Sequence, residues 1–347
     1  TLAGPPGDKK PKQPIGLDAV QLPLRPAGAK PRLLVLVVGE TARAQNWGLN
    51  GYARDTTPQL RQAGVINFPN TSSCGTATEV SVPCMFSPWG RANYDEAKIR
   101  GHQSLLHVLD HAGVGVVWRD NQAGCKGVCE GLPFQSVTES TDPEFCNGTR
   151  CFDGILLKDL DGALKLAKTK GGDRVLVLHM LGNHGPSYYD RYPPAFARYA
   201  PACQQADLGR CTREQIVNAY DNALTYTDHV LASAIAQLAA RTDVDSALLY
   251  VSDHGESLGE KGLFLHGVPY AIAPREQTHV PMVMWFGDGF ARDEGLDVQC
   301  LRQHADAPAS HDNLFSSVLG LMDVKTSVYD ASRDLFAPCR SKSVASK

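Results

Sequence analysis

Residues 247–251, Ala-Leu-Leu-Tyr-Val, are an apolar run too short for a helix, closed at its end by Ser252, Asp253 and Gly255. Such a run reads as a strand buried in a sheet. It stops at Ser252, and Asp253-His254-Gly255-Glu256 follow at once. A carboxylate and an imidazole therefore stand together where a strand ends. In open α/β sheets, ligands bind at that edge, outside the carboxyl ends of the strands. Asp and His together suit zinc. Gly255, Gly259 and Gly262 let the backbone turn tightly and return His266 to the same place. A polar turn after a core strand would look the same in isolation, so the other strand ends carry weight.

Residues 33–38 are a continuous Leu/Val run, the pattern of a strand buried on both faces of a parallel sheet. It ends in Gly39-Glu40-Thr41 and so places a second carboxylate at a strand terminus. By itself Glu40 also fits a solvated position at the start of a helix. Residues 174–181, RVLVLHML, run into Gly182-Asn183-His184-Gly185-Pro186 and deliver His184 to a third strand end. His179, inside that strand, reads as a hydrogen-bonded core histidine. Residues 114–118 and 280–286 are two more strands. Apolar spacing marks helices at 103–112, 153–168, 212–241 and 312–322. This alternation argues for an α/β fold: a mainly parallel central sheet with helices on both faces.

The chain has 347 residues, enough for one large α/β domain or two domains. A net charge of −3 argues against a nucleic-acid partner. The longest apolar runs are about six residues, against the roughly 20 that a membrane span needs. Residues 1–31 hold seven prolines and read as a linker, which puts the domain at 32–347. A chain that begins at Thr1 without Met is expected to be a mature or truncated piece.

Eight of the ten cysteines fall in close pairs, Cys74/Cys84, Cys125/Cys129, Cys146/Cys151 and Cys203/Cys211, leaving Cys300 and Cys339. Close pairs in polar, Gly-rich loops read as local disulfides formed in an oxidising compartment. Zinc–thiolate sites are the rival, but no C-x-x-C spacing occurs. Short loops gain less than the usual ~2–4 kcal/mol per bridge, so such staples would hold loop shape.

Residues 70–87, NTSSCGTATEVSVPCMFS, offer Ser72, Ser73, Thr76, Thr78 and Ser81 as hydroxyl nucleophiles. A hydroxyl needs a base or a metal to become one. At the start of a helix it also sits where a phosphate is favoured. Composition alone fits an ordinary Ser/Thr cap equally well. Lys126, between Cys125 and Cys129, would suit either an anion contact or a solvated surface. Together, Glu40, His184, Asp253, His254 and His266 make a one- or two-zinc site with O and N ligands and no thiolate.

Seven motifs in order then carry a resemblance. They are VVGETAR (37–43), SCGTATEVSVPCMFS (73–87), residues 118–127, GNHGP (182–186), SDHGESLGE (252–260), LHG (265–267) and SHDNLF (310–315). They resemble the catalytic domain of bacterial lipid A phosphoethanolamine transferases, which include the mobile colistin-resistance enzymes and belong to the alkaline phosphatase/sulfatase superfamily. The resemblance covers nearly everything after the linker.

The resemblance implies that Thr78 is the nucleophile. It would take phosphoethanolamine from phosphatidylethanolamine, release diacylglycerol, form a phosphothreonine-type intermediate and pass the group to a lipid A phosphate. It implies one tightly held zinc on Glu40, Asp253, His254 and the Thr78 hydroxyl. It gives His184 and His266 to a second zinc or to the substrate phosphate, with acid–base duty where they hold no metal, and places Lys126 and Asn121 along the phosphoethanolamine pocket. It adds the Cys300/Cys339 pair. That pair and Cys125/Cys129 are absent from some members and point to the disulfide-richer, chromosomally encoded type. It further implies an N-terminal membrane domain, a location on the periplasmic face of the inner membrane, a monomer, and polymyxin (colistin) resistance.

Two alternatives stand beside it. A phosphoglycerol transferase or another phosphotransferase of the superfamily would share the Thr–zinc logic. A sulfatase would need C/S-x-P-x-R, and Met85 stands at the Arg position of Ser81-Val82-Pro83-Cys84-Met85. A non-catalytic cell-envelope binding protein would hold no stoichiometric metal.

Overall fold

The computed structural model describes residues 10–342. Its centre is a seven-stranded sheet of β1 (Arg32–Gly39), β2 (Ile66–Asn67), β3 (Gly115–Asp120), β4 (Phe134–Ser136), β5 (Arg174–His179), β6 (Asp245–Ser252) and β7 (Met282–Phe286). The spatial order is β2-β7-β6-β1-β5-β3-β4. From β6 to β4 the strands are parallel, whereas β7 runs antiparallel to both β6 and β2. The sheet is thus mainly parallel, as the alternation of strands and helices predicts.

Both faces are covered because the central strands are apolar through their middles, at residues 33–38 in β1, 175–178 in β5 and 247–251 in β6. Leu34, Leu36 and Val38 face a core with the helices α1 (Thr78–Met85), α2 (Leu105–His111) and α5 (Leu314–Leu321). Leu33, Val35 and Val37 face the opposite core, with α3 (Leu160–Leu166) and α4 (Arg213–Ala239). The long helix α4 begins at Thr212, whose side chain makes a reciprocal capping box with Gln215. The helix expected over 153–168 is divided. Residues Asp153–Leu157 form a tighter 3₁₀ turn, and Asp159 adopts a left-handed φ of 50° to cap α3.

Residues 1–9 of the expected linker lie outside the described residues. Residues 10–31 form almost no regular structure but lie against the domain. Val20–Gln21 pairs with Val324–Lys325, and Asp18 accepts from Thr326 and Ser327. Arg25 reaches Asp245 and Glu294. Beside it Arg32, 3% exposed, bridges Asp173, Glu294 and Asp323 at 2.7–2.8 Å. Removing one partner from such a network strands buried charges of the other sign. Arg32→Ala is therefore expected to destabilise the domain by ~3–5 kcal/mol, read as a fall in the urea midpoint at unchanged slope.

All ten cysteines are bonded, as Cys74–Cys84, Cys125–Cys129, Cys146–Cys151, Cys203–Cys211 and Cys300–Cys339. Among the described residues no helix is long and apolar enough to cross a membrane.

Candidate active site

Parallel pairing of β1 with β6 sets Gly39 opposite Ser252, so the next residues, Glu40 and Asp253, emerge side by side. The loop after β5 closes over them. Its Gly182 has φ 56°, and a Cβ there would sit 2.6 Å from the Glu40 carbonyl oxygen, so glycine is required. Asn183 N–H donates to that same carbonyl. Glu40, Asp253 and His254 are each 1% exposed or less.

Thr78 is the first residue of α1, at the helix end that favours negative charge. The Cys74–Cys84 bond ties the preceding loop to the last turn of this helix. Thr78 Oγ1 lies 2.6 Å from Asp253 Oδ2 and 2.9 and 3.0 Å from the two Glu40 oxygens. One hydroxyl hydrogen can satisfy only one of these approaches. His254 Nδ1 contacts Gly255 O at 2.6 Å, and its Nε2 is buried with no hydrogen-bond partner, 3.4 Å from Glu40 Oε1.

The electrostatics agree. Burial and then the Glu40 charge push the Asp253 carboxyl up to about 7. Burial acts the same way on Glu40, but contacts with His184 and His254 outweigh it and hold that group well below the usual range. Burial opposes charge on His254, yet Asp253 and Glu40 draw its imidazole up to about 10. Crowded oxygens, an orphaned imidazole nitrogen and retained protons describe a cluster short of positive charge. The ligand atoms of Glu40, Asp253 and His254 lie within 4.8 Å of one another, so the three could hold a metal ion. A second such group, Cys300, His304 and Cys339, has its two sulfurs joined to each other.

His184 Nδ1 is 3.4 Å from Glu40 Oε1, with the side chain 41% exposed. The His266 ring centroid is 4.1 Å from that of His254, and its Nδ1 is 2.8 Å from Glu256 Oε1. Both histidines thus reach the cluster. Lys126 pairs with Glu79, the neighbour of Thr78, at 2.9 Å.

Asn121 is a correction. Its side chain turns inward and donates to Cys151 O and to Asp153, so it does not line the pocket. Its neighbour Gln122 instead points Nε2 at Glu40 Oε2, 3.3 Å away. Just past a strand, consecutive side chains leave on opposite sides, so of these two adjacent amides only Gln122 faces Glu40. Glu256, unassigned within the SDHGESLGE motif, also reaches the site through His266, and its other oxygen accepts from the Tyr188 hydroxyl at 2.5 Å; nothing in sequence signals Tyr188.

A family model described as "Sulfatase" matches residues 32–324. The chain is 45% identical over 328 residues to "Phosphoethanolamine transferase EptA" of Escherichia coli K12, covering 94% of this chain and 59% of that protein. It is 43% identical over 315 residues to "Phosphatidylethanolamine transferase Mcr-1" of Escherichia coli, covering 88% and 56%. It therefore spans somewhat under two thirds of these relatives. Among solved structures, the soluble domain of lipooligosaccharide phosphoethanolamine transferase A from Neisseria meningitidis aligns with a TM-score of 0.91 and 47% identity, over 96% of this chain and 99% of that one. The integral membrane form of that protein gives the same score, with 62% of it covered. This chain belongs to the sulfatase family, in the group of the phosphoethanolamine transferases.

Proposed function

We propose that this domain moves phosphoethanolamine from phosphatidylethanolamine to a phosphate of lipid A through a covalent adduct on Thr78. The observation that supports it best is the position of Thr78 Oγ1, at a helix N-terminus and within 3.0 Å of both Glu40 and Asp253. Thr78 Oγ1 forms a bond to phosphorus as the bond to the diacylglycerol oxygen breaks. The Thr78 proton has Asp253 Oδ2 as its nearest acceptor, at 2.6 Å. The leaving oxygen takes a proton at the rim from His184. In the second half an oxygen of the lipid A phosphate attacks the same phosphorus, the bond from phosphorus to Thr78 Oγ1 breaks, and Thr78 Oγ1 recovers its proton from Asp253. Lys126 and Gln122 would orient the head group.

Glu40, Asp253, His254 and the Thr78 hydroxyl would hold zinc, since oxygen and imidazole donors suit it. Bound there, zinc supplies the positive charge that makes a hydroxyl a nucleophile at neutral pH and offsets charge on a phosphoryl group. His184 and His266 offer a second position. Five disulfides fit an oxidising periplasm, and this domain would be joined to a membrane-embedded part, since a relative it covers to 62% is described as an integral membrane protein. Sulfatase chemistry is disfavoured, because Met85 occupies the position its motif gives to Arg and is fully buried.

The head group separates this reading from phosphoglycerol transfer. Vesicles of phosphatidylethanolamine should release diacylglycerol and vesicles of phosphatidylglycerol should not; the reverse would transfer the reading to the sister activity. A charge-assisted contact is worth about 1.5–3 kcal/mol. Lys126→Ala should therefore raise KM for the donor roughly 10-fold while sparing the Thr78 adduct at saturation. In a susceptible host, the full-length protein should add phosphoethanolamine to lipid A and confer polymyxin resistance; unchanged lipid A mass would refute this.

A further inference from the structure

Glu256 is fully buried two residues beyond His254, outside the group that could hold the metal. Its backbone is fixed from two sides: its N–H donates to Glu276 O, and its carbonyl accepts from Arg43. Its two carboxylate oxygens serve two different loops. Oε1 is 2.8 Å from His266 Nδ1, on the loop after β6, and Oε2 accepts from the Tyr188 hydroxyl at 2.5 Å. Tyr188 follows His184 by four residues, in the 3₁₀ turn Tyr188–Arg191, and Arg191 returns to donate to His184 O at 2.6 Å. One carboxylate therefore joins the loop that carries His184 to the loop that carries His266.

A carboxylate accepts hydrogens and has none to give. The Tyr188 hydroxyl keeps its proton, because burial and the Glu256 charge hold it well above the usual phenol range. A hydrogen of His266 then lies on Nδ1, facing Glu256, and in the neutral imidazole the lone pair is on Nε2. The side chain of His266 is 24% exposed, so part of the ring is open to an incoming molecule.

We propose that Glu256 is a positioning residue: with Tyr188 it clamps the two histidine-bearing loops together and presents His266 to the site through the lone pair of Nε2. A lone pair takes a cation or a protic group, such as the ammonium of an ethanolamine head group, and repels a phosphate oxygen. The role in turnover rests on the transfer reading above; the tautomer does not.

Nitrogen-15 NMR of the purified domain labelled at histidine tests the tautomer, with His266 assigned by its loss in His266→Ala. The expected pattern is a pyrrole-like Nδ1 and a pyridine-like Nε2. Glu256→Gln should lose that pattern and slow Thr78 adduct formation from phosphatidylethanolamine vesicles by ~10–100-fold. Zinc per chain should stay at the wild-type value, because Glu40, Asp253 and His254 are untouched. Tyr188→Phe should keep the pattern and lose less activity. In a His266→Ala background, Glu256→Gln should cost less than about 2-fold more, because two residues that act as one do not add. A hydrogen on Nε2 in the wild type, or two substitutions whose effects multiply, would overturn the proposal. If the wild type forms no adduct, the transfer reading fails and the histidine spectrum still decides the tautomer.

Discussion

Thr78→Ala should abolish the covalent adduct and lower phosphoethanolamine transfer by roughly 10⁴-fold or more, the scale seen when a lone nucleophile is removed. The hydroxyls beside it in the same loop are engaged elsewhere. Thr76 Oγ1 donates to Val268 O, Ser73 Oγ donates to Gly75 O, and Ser81 Oγ accepts from Gly75 N–H. Each of these hydroxyls is engaged in shaping the loop, and none touches Glu40 or Asp253. Thr78→Ser should retain the adduct at a reduced rate, since the hydroxyl remains and only the β-methyl that restricts its rotamer is lost. The alanine change also relieves the crowding of Thr78 Oγ1 against three carboxylate oxygens. The metal-free Thr78→Ala domain should therefore be no less stable than the wild type. Mass spectrometry of the Thr78 peptide and a thermal melt read the two effects separately.

The second large effect concerns the metal. The wild-type domain should retain about one zinc per chain after dialysis, and Glu40→Gln should not. Apparent zinc binding at a four-ligand structural site is about 10–16 kcal/mol, so one ligand in four carries about 3 kcal/mol, or a ~10²-fold loss of affinity. A ligand that binds only the folded state adds about 4 kcal/mol at a thousand times its Kd. A chelator should accordingly lower the wild-type melting temperature and leave that of Glu40→Gln unmoved. A binding module without a site would show no zinc and no chelator effect in either protein.

Much of this site could be read from the chain, for physical reasons. Three apolar runs with polar residues directly after them fix three strand ends, and a parallel sheet brings such ends to one edge. That was enough to group Glu40, His184, Asp253 and His254, and the glycine-rich loop added His266. The choice of Thr78 among five hydroxyls was not legible from composition. It depends on which of them face the loop backbone and which faces the carboxylates, and only the family resemblance made it. Asn121 and Gln122 show the same limit at finer scale, since two adjacent amides differ only in the side on which they leave the strand end. The direction of β7 was also beyond the pattern, because a buried strand reads alike in either sense. Asp159 gives no warning of its left-handed turn, and so two short helical pieces read as one. Residues 10–31 read as linker from their prolines, while their anchorage rests on single side chains such as Arg25 and Asp18.

The most direct test of the central claim is the mass of the Thr78 peptide from the zinc-loaded domain before and after incubation with phosphatidylethanolamine vesicles. The account predicts an added phosphoethanolamine on Thr78, absent from Thr78→Ala and discharged when lipid A is supplied. Zinc-loaded wild-type protein that turns over the donor while Thr78 stays unmodified, or that turns it over equally well as Thr78→Ala, would contradict it.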